Sequence, residues 1–299
     1  MKNHAFALLA SACILVACQE KQTTPAETSI RFFAQETLTK TVFGELDDGK
    51  YPVLWQDGNR INISYKMGYS VSADVSPLDG GRTAEFVDPD DVFSGGLESG
   101  NVYYALSPKA AQAKHIDQAI CRWRVRIPAR QTPTAGSVDA SAQILFARYD
   151  AGDVVPAIVS FEFDHVTAYG LLSFSNLDLS EGETISKVTL TAEADWVGVW
   201  DYYVKDYDSN GDLVVDYPAG SMEAASGSSS LEIETSSVSG IWFACAPVDL
   251  QNKTLTAQIT TNLGTLTKTV TFPAGKGNFQ AGHVAMFSIN MNGAVRGNS

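Results

Sequence analysis

"CRWRVRIP", Cys121 to Pro128, sets Cys121, Trp123, Val125 and Ile127 at alternate positions and Arg122, Arg124 and Arg126 between them. A period of two is the signature of a strand with one buried face, because successive side chains point to opposite sides of a sheet. The same rhythm runs outward from it in both directions. "SKVTLTAE" (Ser186 to Glu193) repeats it with Val188, Leu190 and Ala192. "KTLTAQITTNLGTLTKTVTF" (Lys253 to Phe272) reads as a hairpin: Leu255, Ala257 and Ile259 alternate, Asn262-Leu263-Gly264 turns, and Leu266, Val270 and Phe272 return. "IWFACAPV" (Ile241 to Val248) is apolar on both faces and fits a central strand. Only "SPKAAQAKHIDQ" (Ser107 to Gln118) has a helical look, and "AGSMEAASGSSS" (Ala219 to Ser230) reads as a flexible loop. Many short strands separated by turn residues imply an all-β chain built of sandwiches.

The turn-rich "YDAGDVVPA" (Tyr149 to Ala157) marks a boundary near residue 155. It divides an N-terminal β-sandwich, 29–155, from a C-terminal one, 156–299. The chain opens with a different pattern: a basic start at Lys2, a short apolar run from Ala5 to Ala17, then Cys18 and a polar stretch. The run is too short for a membrane helix, which needs about 20 apolar residues. It fits a secretory signal. Leu15-Val16-Ala17-Cys18 resembles the bacterial lipobox. That implies removal of residues 1–17, diacylation of Cys18, and a tether over 18–28. Each buried CH2 of such chains contributes about 0.8 kcal/mol to membrane partition.

Residues 1–17 carry Lys2 as their only formal charge, so their removal takes the net charge from −13 to −14. An acidic surface repels nucleic acid and anionic membrane faces, and no nucleic-acid partner is expected. Of the four cysteines, Cys13 leaves with the signal and Cys18 is acylated. Cys121 and Cys245 remain; a disulfide between them is possible, and two separate buried thiols are the expectation.

Motifs that carry chemistry are scarce. In "KDYDSNGDLVVDY", Asp206, Asp208, Asn210 and Asp212 with Gly211 match the first half of a calcium loop. Position twelve is Tyr217, where a bidentate carboxylate is required, and the flanks are strand-like. Asn210-Gly211 is also the strongest short signal for a hairpin turn, the reading we adopt. His115, His165 and His283 are isolated in sequence, and no nucleophile, metal or phosphate-loop motif appears. Neither a cofactor nor an enzymatic activity is expected. Arg122, Arg124 and Arg126 form a basic stripe, read as the solvated face of a strand, with an interface for an acidic partner as the minority alternative. "DWVGVWDYYV" gathers Trp196, Trp200, Tyr202 and Tyr203. Such rings can make a sugar-stacking platform, but in a sandwich strand they more often pack the core.

Several segments taken together resemble the fimbrillin-like surface lipoproteins of the Bacteroidales. They are Ile30 to Thr37, Lys40-Thr41-Val42-Phe43-Gly44, Trp55-Gln56-Asp57-Gly58-Asn59, "VYYALSP" (Val102 to Pro108), "FDHVTAYGLLSF" (Phe163 to Phe174) and "FQAGHVAMFSINM" (Phe279 to Met291). Asn59 stands where the family usually has aspartate. The resemblance implies two tandem transthyretin-like β-sandwiches and anchoring in the outer membrane facing outward. It implies partners that are other pilin subunits or a host or bacterial surface ligand. In polymerising members a protease cuts after the first strand, and a donor strand from the next subunit fills the vacated groove. The cut carries over to Lys40-Thr41, with lysine where arginine is preferred. Only "NGAVRGNS" follows Met291, a poor donor strand, which points to a tip or accessory subunit or a stand-alone adhesin. The competing expectation is a glycan-binding lipoprotein of a polysaccharide-uptake system, using the rings near Trp200.

Overall fold

The computed structural model describes residues 31–34, 54–65, 69–87, 99, 102–109, 113–117, 122–153, 158–207 and 213–297. Its first strands are β1 (Arg31–Ala34), β2 (Arg60–Tyr65), β3 (Tyr69–Leu78), β4 (Thr83–Val87), β5 (Val102–Ser107), β6 (Ala113–Asp117), β7 (Arg122–Ile127), β8 (Arg130–Gln131), β9 (Leu145–Asp150), β10 (Ile158–Phe161) and β11 (Phe163–His165). Then come β12 (Ala168–Ser175), β13 (Ile185–Ala192), β14 (Val197–Tyr207), β15 (Leu213–Ser228), β16 (Ser230–Glu234), β17 (Ile241–Cys245), β18 (Val248–Asp249), β19 (Thr254–Thr261), β20 (Gly264–Thr271), β21 (Asn278–Phe279), β22 (Val284–Asn290) and β23 (Val295–Gly297). The protein is all-β apart from two short 3-10 turns among these residues. No helix among them is long and apolar enough to cross a membrane.

Eight strands form one sheet in the order β10-β1-β4-β3-β2-β5-β9-β11. Its two outermost strands, β10 and β11, are separated in sequence by Glu162 alone. The sheet must therefore curl until its ends meet. The curl encloses a core of Phe32, Trp55, Ile61, Ile63, Phe86 and Phe163. Trp55 meets Phe86 and Phe163 edge-on, with centroids 5.3 and 5.2 Å apart. It is fixed by the turn after it, where Gly58 adopts φ +81 and the Gln56 N–H donates to Asn59 Oδ1 at 3.1 Å.

The remaining strands make sheets ordered β17-β12-β22, β23-β20-β19-β13-β16-β8, β15-β14-β7-β6 and β18-β21. They close over a second, larger core that includes Trp123, Val125, Trp196, Trp200, Leu231 and Phe243. Two strands serve both cores. On β5, Tyr103 and Ala105 face the first core while Tyr104 and Leu106 face the second. On β9, Leu145 and Ala147 face the first and Phe146 the second. Backbone pairing likewise crosses the interval around residue 155: β1 with β10, β9 with β11, β7 with β14, and β8 with β16.

The hairpin at 254–271 forms as its alternation predicts. Thr261 pairs with Gly264 around a two-residue turn, and Leu255, Ala257 and Ile259 are buried. Three expectations are corrected. Residues 113–117 form β6 on the edge of β7, not a helix, because the open edge of β7 offers backbone partners that outweigh the local propensity of Ala and Lys. Residues 219–228 belong to the long strand β15, which β14 holds through a bulged ladder. Gly198 and Gly227 sit opposite each other there, and a Cβ on Gly198 (φ +104) would fall 2.6 Å from Ser226 O. Lastly, β17 is buried on both faces but is not central: it ends its sheet. Its outer edge is covered by one side chain. Buried Gln131 accepts from Ala244 N at 2.9 Å and donates to Ala244 O at 2.7 Å, acting as a one-residue substitute for a strand.

Candidate functional site

The N-terminal sheet has a seam at β1. The strand runs antiparallel to β4, with Phe32 opposite Phe86 and Ala34 opposite Ala84. On its other side it runs parallel to β10, with Phe32 opposite Val159 and Ala34 opposite Phe161. Phe32 and Ala34 are buried, and the Phe32 and Phe161 rings stack 5.9 Å apart. Outside, Arg31 Nε bonds Glu85 Oε1 at 2.6 Å. These four residues are short enough to leave and apolar enough to matter. Without β1, β4 and β10 would each present a bare backbone edge flanking a slot lined by Ala84, Phe86, Val159 and Phe161. Burying a phenylalanine contributes about 1.5–3 kcal/mol, so Phe32 is the main anchor.

The sheets around the second core have a gap of their own. Among the described residues β22 has a strand partner only on its β12 side, and β23 covers β20 only at Thr265, Leu266 and Thr267. Between the two edges lies a groove of about 300 Å³ whose walls include Val270, Phe272, Phe279, Phe287 and Ile289, with Met286 exposed at its rim. Beside it, β23 is clasped to the body. Arg296 bonds both oxygens of the buried Glu183 at 2.7 and 3.1 Å, and Glu183 also accepts from Thr261 Oγ1 at 2.7 Å and Ser180 N at 2.9 Å. The Arg296 hydrogen bonds, helped by Thr261 and Ser180, hold the Glu183 carboxyl at about 2. A carboxyl depressed in the folded state contributes stability that is full above its unfolded pKa of about 4.3 and is lost as pH falls toward 2. Glu183→Gln is expected to flatten the acid limb of the urea midpoint in that window and to speed amide exchange at Val295–Gly297. An unchanged acid limb would refute the clasp.

The sequence-derived candidates fare differently. Trp196, Trp200 and Tyr202 are buried in the second core, so they offer no ring face to a sugar, and the core reading holds for them. Trp196 Nε1 donates to Ser229 O at 3.0 Å. Tyr203 alone is half-buried, with its hydroxyl bonded to Glu223 at 2.7 Å. The arginine stripe faces outward as its alternation requires, but two of its members have an acidic partner within the chain. Asp201, on β14, has a side chain only 4% exposed. It accepts from Arg122 Nε (3.1 Å) and Nη2 and from Arg124 Nε (2.8 Å) and Nη2 (3.1 Å). Burial pushes its carboxyl up, yet these bonds outweigh burial and leave it below the usual range. Asp201 was open to detection as the one acid in the outward set of β14, but its pairing with residues 77 and 79 positions away was not.

β14 and β15 pair as an antiparallel hairpin around 208–212. Asp208, Asn210 and Asp212 lie outside the described residues, and of Asp206 only the backbone is described. No cluster of three potential metal ligands occurs among the described residues. His165 Nδ1 is 2.6 Å from Tyr169 Oη, and His283 Nδ1 is 2.9 Å from Ala281 O. Cys245 is a buried free thiol, its pKa pushed up by burial. Cys18, Lys40, Thr41 and Cys121 lie outside the described residues.

No protein-family model matches the chain, and no curated protein matches it. Solved structures do. A candidate cell adhesion protein from Bacteroides ovatus is similar over 92% of this chain and 96% of its own, with 14% identity and a TM-score of 0.54. One from Bacteroides uniformis is similar over 91% and 98%, with 12% identity and a TM-score of 0.53. The chain shares the fold of these two proteins across nearly its whole length.

Proposed function

We propose that this protein is a non-enzymatic, fimbrillin-like surface lipoprotein. It serves as a fimbrial tip or accessory subunit, or as a stand-alone adhesin, and any assembly proceeds by donor-strand exchange. The observation that carries the reading is β1, a short apolar strand wedged between β4 and β10 and replaceable by another strand of the same pattern. A cut at Lys40-Thr41 would sever it from the rest of the chain and leave β1 held by its two backbone ladders, the Arg31–Glu85 pair and the burial of Phe32 and Ala34. Anchoring at Cys18 in the outer membrane, facing outward, fits this order of events. Partners would then be other pilin subunits or a host or bacterial surface ligand. The shared fold with the two Bacteroides proteins supports the adhesion reading, and the clasp on β23 favours a subunit that keeps this strand on its own body.

The test is exchange in solution. The mature chain is cut at Lys40-Thr41 and mixed with a labelled peptide spanning Ile30 to Thr37. The peptide is expected to bind, and a Phe32→Glu version is expected to bind at least about tenfold more weakly, since charge in place of the ring forfeits its burial. A cut chain that melts cooperatively yet takes up neither peptide would refute strand exchange.

A further inference from the structure

We propose that the outer face of β7 and β14 is a binding site for a carboxylate-bearing polysaccharide. This goes beyond strand exchange and does not depend on it. On a chain of formal charge −13, an anionic polymer meets repulsion nearly everywhere. On this face, among the described residues, three arginines outnumber the two acids beside them, Asp201 and Glu223. Arg122, Arg124 and Arg126 stand in line on one strand, two residues apart, at a spacing of about 6.5 Å. Asp201 fixes the first two by their Nε and Nη2 atoms. The Nε/Nη2 edge of each is thereby taken up, its plane is held, and Nη1 has no partner among the described residues, which leaves each arginine a positioned donor for a charge-assisted bond to a carboxylate. Arg122 and Arg124 remain 29% and 46% exposed, and Arg126 is exposed with no ion pair among the described residues.

Beside the row, the Tyr203 ring lies 5.2 Å from the Arg122 guanidinium, and Tyr203 pairs with Ser221 on β15. The Tyr203 hydroxyl is engaged by Glu223 at 2.7 Å, so the arginines, the Tyr203 ring and the Ser221 hydroxyl are the groups this surface offers a sugar. None of the exposed large hydrophobics among the described residues lies on it. A protein partner gains most of its affinity from apolar anchors seated in pockets, and among the described residues this face has only the half-buried Val199 to offer one. A hydroxylated polyanion needs only what is present. The expected occupant is a linear polymer of uronic-acid type, bound weakly per contact and more strongly with chain length.

The probe is oligogalacturonate, titrated calorimetrically into the full mature chain. Its methyl ester and an acidic peptide of equal charge are run in parallel. The free acid is expected to bind in a salt-sensitive way. Arg126→Glu, which leaves the Asp201 bonds intact, is expected to weaken it at least about tenfold, as a favourable contact becomes a like-charge one. Lys253→Glu, in the turn before β19 on another sheet, is expected to leave it unchanged. Absence of binding, equal binding of the ester, or equal loss in both variants would overturn the proposal. So would an acidic peptide that binds as tightly as the sugar, since that would mark a protein-docking face.

Discussion

Gly170→Ala is expected to destabilise the protein by about 3 kcal/mol, the upper end of the usual cost of overpacking. Gly170 lies on β12 directly opposite Phe243 on β17, and the tip of the Phe243 ring stands where a Cβ would be. A Cβ there would overlap Cζ and Cε1 of the ring and stand 2.7 Å from Cε2. The ring has no room to retreat. Phe243 is fully buried, with Trp196 at 5.6 Å, Phe279 at 6.1 Å and Phe287 at 6.2 Å between centroids. Either the β12–β17 ladder opens or the aromatic cluster shifts as a unit. The melting temperature should fall by about 6–12 °C, at about 2–4 °C per kcal/mol for a domain of this size. Phe243→Leu alone leaves a void and is also destabilising. Combined, the two changes should cost clearly less than their sum, with a coupling of about 0.5–3 kcal/mol. Strict additivity, or a neutral Gly170→Ala, would show that the ring is not what excludes the side chain.

Arg122→Met with Arg124→Met should have the next largest effect, and its size should depend on pH. Both guanidiniums go, and Asp201 is left as a charge whose side chain is 4% exposed. Stranding a buried ion costs about 3–5 kcal/mol; the partial exposure of both arginines lowers the expectation to about 2–3 kcal/mol at neutral pH. In the native protein the folded carboxyl lies below the usual range, so its contribution is full above the unfolded pKa of about 3.9 and fades as pH falls through the folded value. In the variant only burial is left to act, and it raises the folded pKa above the unfolded one. The variant's folded state then gains protons more readily than its unfolded state. Its deficit should be greatest at neutral pH and shrink toward pH 4. Adding Asp201→Asn should recover much of the loss at pH 7. A deficit that does not change with pH, or no recovery in the triple variant, would mean that lost packing of the arginine stems, not charge, is responsible.

Period-two alternation was enough to assign β7, β13, β19 and β20 and to say which side chains of each are buried. It also placed the turn at Asn262-Leu263-Gly264, of which the structure keeps Asn262 and Leu263 as the turn and gives Gly264 to β20. The burial of Trp196, Trp200 and Tyr202 was expected because strands of sandwiches bury such rings, an argument that did not separate them from the half-buried Tyr203. The candidate site was less legible. Ile30 to Thr37 could be seen as a strand, but not that β1 would sit parallel to β10, more than a hundred residues further on. "VYYALSP" could be seen as apolar throughout, but not that its two faces would serve different cores.

What the sequence by itself determined is therefore local: strand after strand, and the inward or outward sense of most side chains, because the pleat imposes both within a few residues. What only the tertiary structure decided is which edges meet. A strand edge is a row of identical backbone groups and carries no address of its own, so its partner is settled by packing and chain closure. That is why a stretch with helical propensity became β6 beside β7, why a serine-rich stretch became the long arm β15, and why Gln131 covers the edge of β17. It is also why the basic stripe, plain as an outward face, became a fixed arginine platform only when β14 brought Asp201 beneath it.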